Sequence, residues 1–272
     1  MSYTLSFVKM HGAGNDFIMI DGRTLPALNL SCAQIAALCH RQLGVGADGL
    51  IVIRHDPEVD FCMVYYNANG SEAEMCGNGA RCAVAFAQRF GMVGDHCRFQ
   101  TSAGVLIGRL VDREVSVSLP PWRDWRPDLK LEGSPHASHH FVNTGVPHLV
   151  IPVSDVASVD VAHWGPFLRN HPVLRPDGAN VNWVQTQAVS GVYPLRTYER
   201  GVEAETLACG TGAAAAAVVL CQLRLASTPV AVLSRGGERL IVKVNLEPTA
   251  TALELQGPAA VSFRGEVEIH DS

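Results

Sequence analysis

Short apolar runs alternate with glycine-rich polar turns along the first half of this chain, a pattern typical of strands joined by tight connections. Ser31 is a predicted N-cap, because Ile35 and Leu38 follow it on one helical face. An alanine-rich apolar run predicts a second helix over residues 80–90. Strands are predicted at residues 5–20 (interrupted by a polar turn at 11–17), 50–53, 61–66, 98–100, 104–111 and 115–119.

The second half of the chain repeats the first. Glu72-Ala-Glu-Met-Cys76-Gly-Asn-Gly-Ala80 and Glu205-Thr-Leu-Ala-Cys209-Gly-Thr-Gly-Ala213 share glutamate, cysteine and both glycines at the same offsets, and an apolar helical run follows each. A helix predicted at about 160–170 takes the place of the one that begins after Ser31. The pattern therefore predicts a duplicated α+β domain, in which strands surround one central helix.

A proline-rich stretch interrupts the pattern between the two copies. Pro120-Pro-Trp-Arg-Asp-Trp-Arg-Pro127 is followed by Gly133-Ser-Pro135, and neither segment continues the strand or helix periodicity. We therefore expect the two domains to span residues 1–120 and 135–261.

The candidate chemistry lies in the two repeated loops. Each loop would place a cysteine at the N-terminus of a buried helix, where N–H groups and the positive helix end favour a thiolate. The neighbouring glycines would let backbone N–H groups approach an anion closely. If the two domains face one another, Cys76 and Cys209 would form a two-sided acid/base site. One cysteine would remove a proton from a carbon and the other would return a proton to the opposite face.

Composition narrows the class of protein. The 272 residues carry a net charge of −5 without a Lys/Arg cluster, so nucleic-acid binding is not expected. The N-terminus lacks the features of a signal peptide, and the longest strongly apolar run, Ala213 to Cys221, is about half of what spans a bilayer. We therefore expect a cytoplasmic protein that does not enter a membrane.

The cysteines outside the two loops have an ordinary interpretation. There is no Cys-x-x-Cys pair among the eight cysteines, which weakens a zinc-ribbon or thioredoxin assignment. The other six are expected to be small buried hydrophobic residues: Cys32, Cys39, Cys62, Cys82, Cys97 and Cys221. Arg81 and Arg89 are expected on the exposed edge of the first central helix, and His136, His139 and His140 in a solvated linker rather than a metal site.

Three motifs make the whole chain resemble the diaminopimelate epimerase family. They are Lys9-Met-His-Gly-Ala-Gly-Asn-Asp-Phe17, Met75-Cys-Gly-Asn-Gly-Ala-Arg-Cys82 and Tyr198-Glu-Arg-Gly201 leading into Ala208-Cys-Gly-Thr-Gly212. The resemblance implies two pseudo-symmetric domains, each a curled, mostly antiparallel sheet around a central helix, with the last strand (about 262–272) returning to the first domain. It also implies a cytoplasmic homodimer that epimerises diaminopimelate for lysine and peptidoglycan synthesis without cofactor or metal.

The resemblance further implies roles for individual residues. Cys76 and Cys209 would be the two acid/base groups, with Cys76 the base for the L,L isomer and Cys209 for the meso isomer. His148 would support the second cysteine. The substrate would be held by Asn15, Asn67, Gly77, Asn78, Asn180, Glu199, Arg200, Gly210 and Thr211. Within this set, the two Gly-containing pairs would hold the α-carboxylate, and Asn180, Glu199 and Arg200 the distal amino-acid end.

Some positions depart from the family pattern, and other functions stay open. Val146 stands where many members have asparagine, and Gly49 stands where some have glutamine. The alternatives are a proline-type racemase or another cofactor-independent amino-acid racemase, a non-catalytic small-molecule binding protein and a zinc-dependent structural protein. The Glu199-Arg200 pair argues against proline, which has no distal charged end.

Overall fold

The computed structural model describes residues 2–25, 28–73, 76–247 and 252–270. Glu74 and Met75 of the first cysteine loop lie outside the described residues, as do the last two residues of the predicted closing strand. The chain divides into two compact units. Unit 1 comprises Met1–Val117 and Pro258–Ser272, and unit 2 comprises Ser118–Gly257.

Strands dominate both units. They are β1 (Ser2–Gly12), β2 (Asn15–Asp21), β3 (Gly49–Arg54), β4 (Phe61–Asn67), β5 (His96–Thr101), β6 (Gly104–Val111), β7 (Glu114–Leu119), β8 (Arg123–Arg126), β9 (His140–Asn143), β10 (Pro147–Val153), β11 (Asn180–Gln185), β12 (Tyr193–Glu199), β13 (Ala204–Thr206), β14 (Val230–Leu233), β15 (Arg239–Val244), β16 (Leu253–Gly257) and β17 (Ala260–His270). The helices are α1 (Cys32–Cys39), α2 (Gly77–Arg89), α3 (Val161–Arg169) and α4 (Gly210–Gln222), with a 3-10 turn at Pro172–Leu174.

The strand pairings of unit 1 set its topology. β1 and β2 are antiparallel, β2 and β3 parallel, and β3 and β4 antiparallel. β4 and β5 are then parallel, and β5, β6 and β7 form an antiparallel meander. The closing strand β17 pairs antiparallel with β1, from Ser2 opposite His270 to His11 opposite Ala260.

Unit 2 uses the same series of pairings. β9 and β10 are antiparallel, β10 and β11 parallel, and β11 and β12 antiparallel. β12 and β14 are parallel, and β14, β15 and β16 are antiparallel. The predicted duplicated α+β class is therefore confirmed strand by strand. The proline-rich segment 120–135 is more ordered than its composition suggested, because β8 lies within it and pairs with β9.

The helices follow the local signals that predicted them. The Ser31 hydroxyl accepts a hydrogen bond from the backbone N–H of Gln34, and the Gln34 side-chain oxygen accepts one from the backbone N–H of Ser31, which completes a capping box. α1 ends at Cys39 because the next residue, His40, has an extended backbone. Every residue of α4 from Gly210 to Cys221 is buried, as expected for a helix that is apolar on all sides.

Among the described residues, no helix is long and apolar enough to cross a bilayer.

The six cysteines expected in the core are buried with two exceptions. Cys39, Cys82, Cys97 and Cys221 are buried as expected, and burial raises the pKa of Cys82 to about 12. Cys62 is half-buried, and the prediction was wrong for Cys32, which is exposed at the start of α1.

Candidate active site

Cys76 is the N-cap of α2. Its backbone is extended (φ −135°, ψ 109°), and its Sγ accepts a hydrogen bond from the backbone N–H of Gly79 at 3.3 Å. The first N–H groups of a helix have no partner within the helix, so a cap side chain satisfies one of them. The thiol is thereby held at the positive end of a buried helix, as the sequence predicted.

Cys209 occupies the same position on α4. Its backbone angles are φ −126° and ψ 111°, and its Sγ accepts from the N–H of Gly212 at 3.3 Å. The hydroxyl of Thr211 lies 3.5 Å from the sulfur. Cys209 is buried whereas Cys76 is half-buried, so the two loops share one geometry but differ in access to solvent.

Two glycines allow the close packing around these helix starts. A Cβ atom on Gly12 would lie 2.7 Å from the carbonyl oxygen of Asn78, in the first turn of α2. A Cβ atom on Gly212 would lie 2.4 Å from Oδ1 of Asn182. Both glycines are therefore required by close approach rather than by turn geometry.

Unit 1 brings two of the predicted binding residues together. The side chain of Asn78 is buried and donates to Oδ1 of Asn15 at 2.5 Å. Asn15 in turn donates to Oδ2 of Asp48 at 2.9 Å. Asn67 lies at the end of β4, where its amide donates to the hydroxyl of Ser71. The amides of Asn15 and Asn78 are thus fixed in orientation beside the first turn of the cysteine helix.

Charged residues that sequence reasoning did not single out surround this amide pair. Arg41 bonds both Asp16 and Asp48, and the ammonium of Lys9 lies 2.7 Å from Asp16. Burial disfavours the ionised form of Asp16, but hydrogen bonds from Arg41 and Lys9 outweigh burial and lower its pKa to about 2. Asp16 is 25 residues from Arg41 and 32 residues from Asp48 in sequence, so no local motif joins the three side chains.

Arg81 is a correction to the sequence analysis. It was predicted on the exposed edge of α2, but it is fully buried. Its Nη2 donates to Oδ1 of Asn78 at 2.9 Å, and its guanidinium also reaches the carbonyls of Gly77 and Pro258. A buried guanidinium needs several acceptors, and the first turn of α2 supplies two of them. Arg89, in the last turn, is exposed as predicted.

A narrow pocket in unit 1 reaches Cys76. Its volume of about 10 Å³ is room for roughly one water molecule. The pocket is lined by Met63, Tyr65, Glu72, Ala73, Cys76, Thr101 and Ser102.

In unit 2 the predicted distal-end residues lie where β11 begins and its antiparallel neighbour β12 ends. Oδ1 of Asn180 accepts a hydrogen bond from the backbone N–H of Arg200 at 2.8 Å, and its Nδ2 donates to the carbonyl of Pro147. The guanidinium of Arg200 reaches the carbonyl of Asp177 at 3.5 Å. Glu199 is the last residue of β12 and is half-buried. Asn180 therefore holds the chain where Arg200 leaves the sheet.

His148 is fully buried beside Asn180, with which it is in register on neighbouring strands. Its Nδ1 lies 3.0 Å from Nδ2 of Asn182. Burial, reinforced by the positive charge of Arg200, lowers the pKa of His148 to about 3, so the ring is neutral at physiological pH. The hydroxyl of Thr144 donates to the carbonyl of Thr211 in the first turn of α4.

The prediction of a solvated histidine cluster in the linker was wrong for His139 and His140. His139 and His140 are buried rather than solvated, and Nε2 of His136 accepts a hydrogen bond from the indole of Trp183. Burial is the main cause that lowers the pKa of His139 to about 4. The rings of His139 and His140 therefore belong to the interior of unit 2, which the polar sequence around them did not indicate. Across residues 2–25, 28–73, 76–247 and 252–270, no three His, Cys, Asp or Glu side chains are grouped to hold a metal ion.

The sequence of the chain is similar to that of known diaminopimelate epimerases. A sequence model of the family described as Diaminopimelate epimerase matches residues 7–118 and 140–259. The chain is 45% identical over 251 residues to a diaminopimelate epimerase of Aquifex aeolicus, covering 88% of this chain and 89% of that protein. It is 41% identical over 277 residues to one of Gemmatimonas aurantiaca, covering 97% and 99%.

Solved structures share the fold at low sequence identity. A PhzF-family phenazine biosynthesis protein of Bacillus anthracis superposes with a TM-score of 0.76 at 13% identity, covering 99% of this chain and 100% of that one. A hydroxyproline epimerase of Agrobacterium vitis superposes with a TM-score of 0.73 at 13% identity, covering 98% and 93%. These likenesses show the fold alone.

Proposed function

The chain belongs to the diaminopimelate epimerase family, and from this premise we propose that it converts L,L-diaminopimelate to the meso isomer for lysine and peptidoglycan synthesis. It is an isomerase of the amino-acid epimerase type. The observation that carries the proposal is the repeated cap geometry. The Sγ atoms of Cys76 and Cys209 each accept a hydrogen bond from a backbone N–H at 3.3 Å, at the start of a buried helix.

The proposed reaction uses the two cysteines as a base and an acid. One cysteine begins as a thiolate and takes the α-proton, which leaves the bonding electrons on the substrate as a carbanion delocalised into its carboxylate. The other begins as a thiol and gives its proton to the opposite face of the same carbon. The first cysteine is then the thiol and the second the thiolate. The two sulfurs thus share one proton, and their titration is a property of the pair. In the L,L-to-meso direction, Cys76 is the base.

The α-proton is a weak acid, so the charge that develops must be stabilised. Backbone N–H groups at Gly77-Asn78 and Gly210-Thr211 supply fixed dipoles for the α-carboxylate at the two helix starts. These dipoles do not need to reorganise during the reaction. The proposed chemistry therefore needs neither pyridoxal phosphate nor a metal ion.

Selectivity for diaminopimelate would come from the far end of the substrate. Arg200 suits a distal carboxylate because its guanidinium can bond both oxygens, and Glu199 suits a distal ammonium. The hydrogen bond from the Arg200 backbone to Asn180 supports this role, because it fixes the segment that carries both side chains. Asn15 and Asn67 are proposed as further substrate contacts.

We also propose that the protein acts in the cytoplasm as a homodimer. A reducing compartment keeps catalytic cysteines as thiols. Large apolar side chains at the surface of unit 1, Tyr3, Phe90 and Phe263, offer an apolar contact for a second copy. Light scattering coupled to size-exclusion chromatography should give a mass near twice the 29.2 kDa of one chain. A mass that stays near one chain at micromolar concentration would contradict the dimer.

Hydrogen exchange in heavy water tests the function directly. Purified protein is incubated with L,L-diaminopimelate, L-proline, L-lysine or L-glutamate in heavy water, and α-deuterium and stereochemistry are followed by NMR. We expect meso product with deuterium at the inverted carbon, and no exchange in proline. Exchange in proline but not in diaminopimelate would instead support a proline-type racemase, and binding without exchange would support a non-catalytic binding protein.

A further inference from the structure

The two units place different side chains at one equivalent position of their sheets. In unit 1, Phe17 of β2 pairs with Gly49 of β3, and Ile51 lies two residues further along β3. In unit 2, His148 of β10 pairs with Asn180 of β11, and Asn182 lies two residues further along β11. The apolar pair Phe17 and Ile51 is thus replaced by the polar pair His148 and Asn182.

The replacement lies under the cysteine helix in both units. A Cβ atom on Gly79 of α2 would lie 3.0 Å from Cδ1 of Ile51, and a Cβ atom on Gly212 of α4 would lie 2.4 Å from Oδ1 of Asn182. Phe17 and Ile51 are fully buried, so apolar side chains can fill this place in the fold. Packing alone therefore does not require a buried histidine and a buried amide in unit 2.

Hydrogen bonds determine which way the amide of Asn182 points. Its Nδ2 donates to the carbonyl of Leu149 at 3.1 Å, and its Oδ1 accepts from the hydroxyl of Thr197 at 2.9 Å. A carbonyl oxygen can only accept, so the atom facing Leu149 must be the NH₂ group. The same NH₂ group lies 3.0 Å from Nδ1 of His148 and donates to it.

This donation determines where the proton of His148 is. A ring nitrogen that accepts a hydrogen bond carries no proton, so in the neutral ring the proton is on Nε2. The ring is neutral because burial and Arg200 lower its pKa to about 3. Nε2 is itself buried and has no hydrogen-bond partner within the described residues. A buried N–H without an acceptor is unfavourable, so an acceptor atom of a bound molecule would stabilise it.

We propose that Asn182 is a positioning residue, which holds His148 in the Nε2–H tautomer so that a neutral donor is available to an oxygen of the substrate. This rests on the proposed function in one respect, because it takes a carboxylate-bearing substrate as the source of the acceptor. Asn182 itself would touch no substrate. It would act through His148, and its contact with Gly212 would couple the ring to the start of the Cys209 helix.

Nitrogen NMR of the substrate-free protein tests the tautomer without any activity measurement. In protein labelled with ¹⁵N-histidine, the signals of His148 are assigned by their loss in His148→Gln. In the wild type we expect an unprotonated Nδ1 and a protonated Nε2. Asn182→Asp presents an acceptor to Nδ1, so the proton should move to Nδ1 or the ring should become doubly protonated near neutral pH.

Two further variants separate this role from a role in packing. Thr197→Val removes the bond to Oδ1 but leaves the donor to His148, so the Nε2–H tautomer should persist. Asn182→Leu removes the donor, and the ring should then populate both tautomers. A wild-type His148 with its proton on Nδ1, or an unchanged Nε2–H tautomer in Asn182→Leu, would overturn the proposal.

Kinetics complete the test. Folded Asn182→Asp should lose kcat/KM by roughly ten- to a hundredfold, the effect of losing one hydrogen bond to a charged group, while Thr197→Val retains most of it. Equal losses in both variants would overturn the positioning role. A wild-type protein with the Nε2–H tautomer but without epimerase activity would overturn the proposed function and leave the tautomer assignment in place.

Discussion

At the scale of single residues, the two cysteines have the same cap bond but different surroundings. Thr211 lies beside the sulfur of Cys209, and Asn78 takes the place of Thr211 in the first loop. The side chain of Asn78 is bonded to those of Asn15 and Arg81. The loops are therefore equivalent in backbone and distinct in chemistry, as expected if each serves one face of a carbon.

Replacing either cysteine should abolish epimerisation. Cys76→Ala and Cys209→Ala each remove one of two non-redundant acid/base groups, so turnover should fall by about a thousandfold or more. The fold should persist, because alanine at a helix N-cap loses about 1 kcal/mol of capping. Turnover is measured by product stereochemistry and folding by circular dichroism. Cys62→Ala, at a half-buried position of β4, is the control. If either cap variant keeps full turnover, the two-base assignment is wrong.

Arg200 should act on substrate recognition more than on stability. Arg200→Ala removes a charge-assisted contact, so kcat/KM should fall by roughly a hundredfold, while the melting temperature changes little. The backbone bond to Asn180 does not depend on the side chain and should survive. Arg200→Lys keeps the charge without the planar fork and should recover part of the loss. Normal kinetics with diaminopimelate in a folded Arg200→Ala protein would show that another group binds the distal carboxylate.

At the scale of elements, each cysteine helix is held by contacts from neighbouring strands and turns. Asn15, the first residue of β2, bonds Asn78 at the start of α2, and the next residue, Asp16, forms ion pairs with Lys9 and Arg41. In unit 2, Thr144 and Asn182 contact the first turn of α4. The position of each thiol is thus set by polar contacts to the helix start as well as by burial of the helix.

Asp16 should stabilise the fold above its unfolded pKa. Its pKa is lowered from 3.8 to about 2, so its contribution is present above pH 4 and disappears as the pH falls towards 2. Asp16→Asn should therefore lower the free energy of unfolding by of the order of 2 kcal/mol at neutral pH. Urea unfolding across this pH range should show the difference shrinking on acidification. Asp112→Asn, in the exposed turn after β6, is the control, and a pH-independent difference would contradict this linkage.

Arg81 should matter both to the stability of α2 and to the orientation of Asn78. Arg81→Met keeps much of the buried stem but removes the bond to Oδ1 of Asn78, which should cost roughly 1.5–3 kcal/mol. Activity should fall as well, because the amide of Asn78 loses the hydrogen bond from Arg81 that helps to fix its orientation. Arg89→Met, on the exposed last turn of the same helix, should change neither quantity. Equal effects of the two variants would mean that the buried contacts of Arg81 contribute little.

At the scale of the whole molecule, one strand plan is used twice, and the last strand of the chain completes unit 1. β17 follows unit 2 in sequence but pairs along the length of β1. We expect the chemistry of this duplicated chain to need no added group. Dialysis against a strong chelator should leave activity unchanged, and the purified protein should show no visible absorbance from pyridoxal phosphate. Loss of activity that added zinc restores would contradict a thiol-only mechanism.

Local sequence determined much of this protein. Apolar alternation predicted most strands of the first half of the chain to within a residue or two, and Ser31 predicted a capped helix. The repeated Cys-Gly-x-Gly segment predicted that Cys76 and Cys209 begin two buried helices. These features depend on residues that are neighbours along the chain, through capping bonds, turn geometry and the period of apolar positions.

Tertiary structure decided the features that depend on distant partners. Arg81 reads as a surface residue by type, but the carbonyl of Pro258 and the amide of Asn78 let it be buried. The sequence indicated only that His148 supports the second cysteine, whereas Asn182 on the next strand determines its tautomer and burial determines its charge. The cost of burying a polar group depends on whether partners are within reach, and folding rather than local sequence brings those partners together.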